Sequence, residues 1–310
     1  MWARKGSGPL AARLLETRSR GAAAAHWGSR GAPLSAGAAR GYGEPVSERQ
    51  REKGERFAAL HAGEPFVIPN SWDAGSARVF AGLGFAALAT TSSGFAFTLG
   101  RLDGGVSLDE LAGHVAVLDA ATELPVSVDL ENGYGPAPDD AAAAIQRAAA
   151  AGAVGGSIED FDSEEGIYEL GRAVERVAAA AEAAAALGIP FTFTARAENH
   201  IRGNPDLDDT IARLRAYEEA GADVLYAPGL RSAEEVRTVC EAVGRPVNVL
   251  AHPGLTMAEI AEAGGQRVSV GGALAWAAVE ATVEAAEAIR DRGDFSGLRG
   301  YGRVRDWLQG

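Results

Sequence analysis

The 310-residue sequence predicts an α/β protein: a (β/α)8 TIM barrel over residues 57–310 with an extra C-terminal helix. Eight short β-type runs alternate with helical stretches, the pattern of repeated βα units around a parallel sheet. The segment that holds them is close to the ~250 residues usual for such a barrel. A doubly wound open sheet is the alternative. No glycine fingerprint follows the first run, where Pro69-Asn70-Ser71-Trp72-Asp73 stands instead, so a dinucleotide site is not expected.

The β-type runs are Phe66–Ile68, Ala86–Thr90, Pro125–Asp129, Gly155–Glu159, Phe191–Arg196, Val224–Ala227, Val247–Ala251 and Val268–Val270. Runs such as Phe191–Arg196 are strongly β-patterned. Helical patterns follow them near 75–82, 107–121, 138–151, 167–187, 207–220, 232–243, 256–263 and 273–291. The alanine-rich ones, such as Val174–Leu187, combine high helix propensity with a small-residue face suited to packing on a sheet. After the eighth unit, residues 295–309 carry Phe295, Leu298, Tyr301, Val304, Trp307 and Leu308 at spacings near three and four. Such an amphipathic segment needs an apolar partner, on its own barrel or on a neighbouring subunit.

Charge is spread unevenly. Residues 1–43 hold seven Lys/Arg and one acid, Glu16, while the remainder holds 22 basic and 41 acidic residues. Residues 1–48 read as a disordered or non-native basic N-terminal extension, with an organellar transit peptide as the competing reading. A hydrophobic fraction of 47% excludes global disorder, and a net charge of −13 argues against non-specific nucleic-acid binding. The single cysteine, Cys240, excludes an intramolecular disulfide framework and fits a reducing compartment. No secretory h-region or bilayer-length apolar run is present, so no membrane partner and a cytoplasmic location are expected.

In a barrel the active site forms where the strands end. There the sequence places Asn70, Trp72 and Asp73, then Ser92-Ser93-Gly94, Asp129 and Glu131, Glu159 and Asp160, Arg196, Asn248, and Gly271-Gly272, with Asp103 in the loop GRLDGG. Asp129 and Glu131 flank one leucine and would point the same way in an extended strand. Converging carboxylates without a histidine or cysteine cluster suit a hard cation, Mg2+ or Mn2+; helix caps and solvated loop acids are the alternative. Arg196 ends the run FTFTAR, where an unpaired cation is costly to bury. It suits an anionic substrate held in a fork, or a structural ion pair with Glu198 or Glu159. The amides of Ser92-Ser93-Gly94 could hold a second anionic group. His200 and His252 are the histidines near strand ends, more often satisfied loop residues than acid–base groups.

Six segments carry a resemblance: PNSWDAGSAR (69–78), TTSSG (90–94), GRLDGG (100–105), VDLENGYG (128–135), SIED (157–160) and TARAEN (194–199). In this order and approximate spacing they resemble the isocitrate lyase / phosphoenolpyruvate mutase superfamily, in its mutase-like branch. The resemblance implies a Mg2+-dependent (or Mn2+-dependent) lyase-type barrel that breaks or forms C–C or P–C bonds in small 2-oxo or 2-hydroxy acids. It implies an enolate-like species held on the metal, with decarboxylase and phosphonomutase-type activities among the branches. Carried over, Asp129 is the main metal carboxylate, with Asp103, Glu131 and Glu159 binding directly or through water. Ser92, Ser93 and Gly94 hold the substrate carboxylate with Trp72 and Asp73 beside them, and Arg196 and Asn248 contact its anionic oxygens. Arg196, Glu159, Asn248 and Asp73 form the implied catalytic set. Exchange of the last helix and assembly as a dimer of dimers, a homotetramer, or as a dimer are also implied.

Two departures stand out. The lyases' Lys-x-Cys-Gly-His loop is replaced by FDSEEGIYELG (161–171), without Lys, Cys or His. The third-strand motif reads Asp-Leu-Glu-Asn where many members have Asp-x-Asp-Thr. Two rival functions follow: a phosphate-binding barrel isomerase or aldolase using Gly271-Gly272, and a non-catalytic barrel.

Overall fold

The structure, a computed structural model, describes residues 47–302 and 304–308. The extension expected over residues 1–48 lies, except for its last two positions, outside the described residues. Ser47 caps α1 (Glu48–Leu60), a helix that begins before the Phe57 at which the sequence pattern becomes regular. Glu48, Glu52, Glu55 and Arg56 are exposed, but the polar side chains of Gln50 and Lys53 are buried. Lys53 Nζ and Arg49 Nη1 both pair with Asp119, at 2.6 and 2.8 Å, and Gln50 Nε2 donates to the carbonyls of Ala149 and Ala153. Phe57 packs with Ile68, Ala87 and Val154 where the strands begin. A helix that buries charged side chains against ion partners shows no apolar stripe, which is why periodicity misses it.

The sheet strands, in chain order, are β1 (Phe66–Ile68), β2 (Asn70–Ser71), β3 (Leu88–Thr90), β4 (Val126–Asp129), β5 (Gly155–Glu159), β8 (Thr192–Arg196), β9 (Val224–Tyr226), β10 (Val247–Leu250) and β11 (Arg267–Ser269). A separate antiparallel hairpin joins β6 (Phe161–Asp162) to β7 (Gly166–Ile167). The helices are α2 (Ala74–Gly82), α3 (Ser92–Thr98), α4 (Leu108–Ala121), α5 (Pro138–Ala150), α6 (Leu170–Ala185), α7 (Leu207–Glu219), α8 (Ala233–Ala242), α9 (Met257–Glu262), α10 (Ala273–Arg292) and α11 (Val304–Leu308).

The sheet order β1-β11-β10-β9-β8-β5-β4-β3-β2 runs round a barrel, with every pair parallel. The first run, Phe66–Ile68, is observed as β1, and after Pro69 a further short strand, β2, follows it. β1 pairs with β11, and β2 pairs with β3. Pro69 has no N–H for the ladder, yet its carbonyl accepts from Ala89 N at 2.9 Å. Asn70 bridges the join: Nδ2 donates to Thr90 O (2.6 Å), and Oδ1 accepts from Val270 N (3.0 Å). The barrel is closed by a side-chain amide where proline interrupts the backbone ladder.

The apolar core lies between the strands and the helices around them. Small residues set its spacing: Ala141, Ala144 and Ala148 of α5 and Ala173, Ala180 and Ala184 of α6 are all buried. In this single chain α11 lies against α2. Arg78 Nη1 donates to Leu308 O (2.7 Å), and a Cβ at Gly82 would fall 2.4 Å from the Trp307 ring. By contrast, α10 buries Ala275 alone of its 20 residues. No described helix is long and apolar enough to cross a membrane.

Because Asn70 supplies hydrogen bonds to both sides of the join, Asn70→Ala should destabilise the fold by about 2 kcal/mol, leaving two buried backbone groups unpaired. Urea unfolding checks this: a lowered midpoint with unchanged slope is expected.

Candidate active site

Parallel register aligns one residue from each of five neighbouring strands. Glu159 pairs with Arg196, Arg196 with Tyr226, Tyr226 with Asn248, and Asn248 with Arg267. Paired residues in a ladder point to the same face, and here that face is the barrel interior. Arg196, Tyr226, Asn248 and Arg267 line an inner cavity of about 260 Å³ together with Ser92, Ser93, Gly271 and Gly272. An outer cavity of about 380 Å³ is lined by Asp103, Asp129, Glu131, Glu159, Arg196 and Arg202. Asp103, Asp129, Ser92 and Arg196 line both.

Arg196 is the hub. Its Nη1 donates to Asp129 Oδ1 (2.8 Å), Nε to Glu198 Oε1 (2.9 Å), and Nη2 lies 3.1 Å from Glu159 Oε2. Burial works against its charge, but Glu198, Glu159 and Asp129 together hold the guanidinium well above its ordinary pKa. It also lies over the Tyr226 ring, 5.2 Å from the centroid. The neighbouring loop is fixed from beneath: Asp160 Oδ1 accepts from Glu198 N (2.7 Å), and Oδ2 accepts from Arg213 Nη1 (3.0 Å) and from Tyr217 OH.

The carboxyls outnumber their counter-charges. Burial pushes Glu159 up, with Glu198 and Asp129 adding to the shift and Arg196 opposing it. Burial, then Asp129 and Asp103, push Glu131 up to about 7. Glu131 does not extend the strand as its spacing suggested. It sits at φ 48° and Tyr134 at φ 62°, left-handed values that turn the chain back on itself. Its carbonyl accepts from Glu159 N (2.8 Å), and its N–H donates to Asp129 Oδ1 (3.3 Å). Glu131 reaches the outer cavity through a turn and not through the period of two.

Among the described residues, no three His, Cys, Asp or Glu side chains enclose a ready-made ion site. The donors nonetheless fit one kind of ion. They are hard oxygens in excess of local positive charge, with Asp129 Oδ1 already committed to Arg196. Mg2+ keeps several waters and takes only one or two protein carboxylates, so a hydrated ion matches this spacing.

Comparison with known proteins places the barrel. The sequence pattern of the phosphoenolpyruvate phosphomutase family matches residues 57–290. The chain belongs to this family. A Burkholderia cenocepacia J2315 structure, described provisionally as a lyase/mutase, is 51% identical, with a TM-score of 0.82 over 85% of this chain and 98% of that one. An uncharacterized protein of Mycobacterium tuberculosis (strain ATCC 25618 / H37Rv) is 35% identical over 74% of this chain and 87% of its own length. An oxaloacetate decarboxylase of Bradyrhizobium sp. (strain BTAi1 / ATCC BAA-1182) is 30% identical over 77% of this chain and 86% of its own length. The family membership makes the chain an enzyme of lyase type, and the reading as a non-catalytic barrel falls.

Within this family member the expected site residues divide. Asp103, Asp129, Glu131, Glu159, Arg196, Asn248, Ser92 and Ser93 all line the two cavities. Asp73 and Trp72 line neither. Asp73 caps α2, accepting from Ser76 N at 2.6 Å, and Trp72 packs edge-on to Phe80 in a satellite apolar cluster. Sequence position could not separate a residue just past a strand from the cap of the next helix. Gly94 also lines neither cavity. Its N–H goes to Thr91 Oγ1 (3.3 Å), and a Cβ there would lie 2.6 Å from Thr91 and 3.1 Å from Trp72. Protein packing, not ligand approach, requires glycine at this position.

The remaining candidates lie elsewhere. His252 accepts from Gly254 N, and Cys240 sits half-buried in α8, its thiol pushed up to about 11 by burial. The rival aldolase reading needs a free lysine. Lys53 is buried against Asp119, and Lys5 lies outside the described residues. Sequence reasoning missed Arg267 and Tyr226. The signal was present in Arg267-Val268-Ser269, where polar residues alternate about a valine, but the eighth run was started one residue late.

Glu131 yields a pH prediction for the metal-free enzyme. Its folded pKa is raised from 4.5 to about 7, so the stability it contributes is full below the unfolded pKa and declines as pH rises through the folded one. Between pH 4.5 and 7 the loss should be about 2 kcal/mol after allowance for solvent screening. Glu131→Gln should flatten that part of a Tm-against-pH curve measured in EDTA.

Proposed function

We propose that this enzyme uses Mg2+, or Mn2+, to break the C–C bond one carbon removed from the oxo group of a small 2-oxo diacid, with decarboxylation of an oxaloacetate-type substrate as the favoured reaction. The carrying observation is the hairpin at residues 161–167. It holds no Lys, Cys or His, while the carboxylate and arginine apparatus beside it is complete. Cleavage of a 2-hydroxy acid must begin by removing the hydroxyl proton and so needs a placed base. Decarboxylation of a 3-carboxy-2-oxo acid needs none. The bond to the carboxylate breaks, CO2 leaves with its oxygens, the electron pair moves toward the oxo oxygen, and the carbon takes a proton from water. The Bradyrhizobium relative, named an oxaloacetate decarboxylase, supports the same choice.

Asp129 would hold the ion directly, and Asp103, Glu131 and Glu159 directly or through water. When bound, the ion would polarise the oxo oxygen and offset the charge that builds there. Arg196 supplies charge-assisted donors at the junction of the two cavities, and Asn248, Ser92 and Ser93 line the wall that meets the substrate's other oxygens. The hairpin is tied down by Asn132 Nδ2, which donates to Asp162 Oδ2 at 2.9 Å.

The test is pyruvate release from oxaloacetate above the spontaneous rate. Turnover should require Mg2+ and vanish in EDTA and in Asp129→Asn. Arg196→Lys keeps the charge but loses the planar fork, so kcat/KM should fall about tenfold, or ~1.4 kcal/mol. Full activity in EDTA would overturn the metal role.

We also infer assembly with further copies of the chain, as a dimer or a dimer of dimers. The exposed side chains Leu274, Trp276 and Val283 of α10, with Phe295, Leu298 and Tyr301 beyond it, form the apolar surface that a second subunit would cover. Sedimentation should give a multiple of the 31.9 kDa chain mass, and Trp276→Glu should shift it downward.

A further inference from the structure

Arg267 is 4% exposed, lines the inner cavity and, among the described residues, makes no bond to a carboxylate. Its Nε donates to Asn248 Oδ1 (2.7 Å), Nη2 to Thr194 Oγ1 (3.0 Å), and Nη1 faces His61 Nε2 (3.1 Å). A guanidinium can only donate, which fixes the chemistry of its neighbours. His61 Nε2 must be the unprotonated nitrogen, with Nδ1–H donated to Phe57 O at 2.8 Å. His61 is therefore neutral, in keeping with burial and Arg267 pulling its pKa down to about 3. The three acceptors around Arg267 are thus uncharged.

The same logic orients Asn248. Its oxygen is taken by Arg267, so its Nδ2 is turned to Ser269 Oγ (2.9 Å), and one amide N–H is left over on a residue that lines the cavity. Arg196, three strands along the same register row, already answers Asp129, Glu159 and Glu198. Arg267 answers no acid among the described residues. A buried charge with neutral partners alone is expensive to keep, and an anion seated in the cavity would offset that cost.

We propose that Arg267 and Asn248 form one anion-binding unit, with Arg267 supplying the charge and fixing the Asn248 amide as a donor, and that this unit selects substrates carrying a second acid group. The inference rests on the reading of the site as one for small 2-oxo diacids. It names the residue that would recognise the second acid, apart from the ion and from Arg196.

Calorimetric titration tests it without turnover. Malonate and propionate share three carbons and differ by one carboxylate; both are titrated into the full-length protein with Mg2+ present. The wild-type protein should bind malonate at least about tenfold more tightly, the scale of one charge-assisted contact. Arg267→Gln and Arg267→Met both remove the charge, and either should erase that preference while weakening propionate by less than about threefold. Asn248→Asp should abolish malonate binding, because the carboxylate pairs with Arg267. A folded Arg267 variant that keeps the malonate preference overturns the proposal. Should neither variant fold, the wild-type ratio decides, and equal binding of the two acids overturns it. Arg267-dependent malonate binding without oxaloacetate turnover would sink the decarboxylase reading alone.

Discussion

Charge balance at the junction of the two cavities governs this structure. Asp129, Glu159 and Glu198 converge on the one guanidinium of Arg196, and Arg202 lies 3.2 Å from Glu198 and 3.7 Å from Glu159 at the rim. Two cations do not settle the acids there, since Glu131 and Asp103 add further carboxyls around the outer cavity. The imbalance shows in Glu131 and Glu159, both pushed toward the protonated form by burial and by their neighbours. Such an arrangement costs stability and is retained where function uses the charge. A divalent ion is the simplest group that satisfies it.

The scaffold exists to hold that imbalance still. Asp160 lies on the far side of the same strand end, where Arg213 and Tyr217 fully occupy one of its oxygens and the Glu198 backbone N–H the other. Glu198 is therefore positioned by its main chain as well as by Arg196. The left-handed turn at Glu131 performs a similar task, locking Glu159 N to Glu131 O and presenting two acids from one loop. Strain at Glu131 and crowding of like charges at the same residue point to function in concert.

Much of the barrel was legible because packing and periodicity agree in it. The eight β-type runs and the eight helical patterns fall on the observed elements within a few residues. What escaped detection shares a physical cause. α1 buries ion pairs and not an apolar stripe, α3 hides in TTSSGFAFT, and the hairpin at 161–167 is two residues per strand. In the site, acids and Arg196 were legible as charges at strand ends. Asp73 and Gly94 line neither cavity, which the sequence does not reveal because a cap and a packing glycine use the same residue types as a ligand loop. Arg267 was missed because it begins its strand, and its contacts, to β8, the adjacent β10 and the end of α1, are distant in sequence.

The two arginines of the register row therefore differ in kind. Arg196 is held by acids that a bound cation would compete for, so its free donors depend on what else occupies the outer cavity. Arg267 is held by neutral acceptors on three sides, and its charge is unchanged by that competition. A pKa drawn down to about 10 by burial still leaves it protonated at neutral pH. An acid entering the barrel thus meets one positive centre whose strength varies with the ion and one that is constant. The constant centre lies in the deeper cavity, beside Asn248 and away from Glu131 and Glu159. Both centres line the inner cavity, so a diacid held there has a positive group for each of its acids where a monoacid uses only one. Selection by charge then rests on strand register and not on a mobile loop.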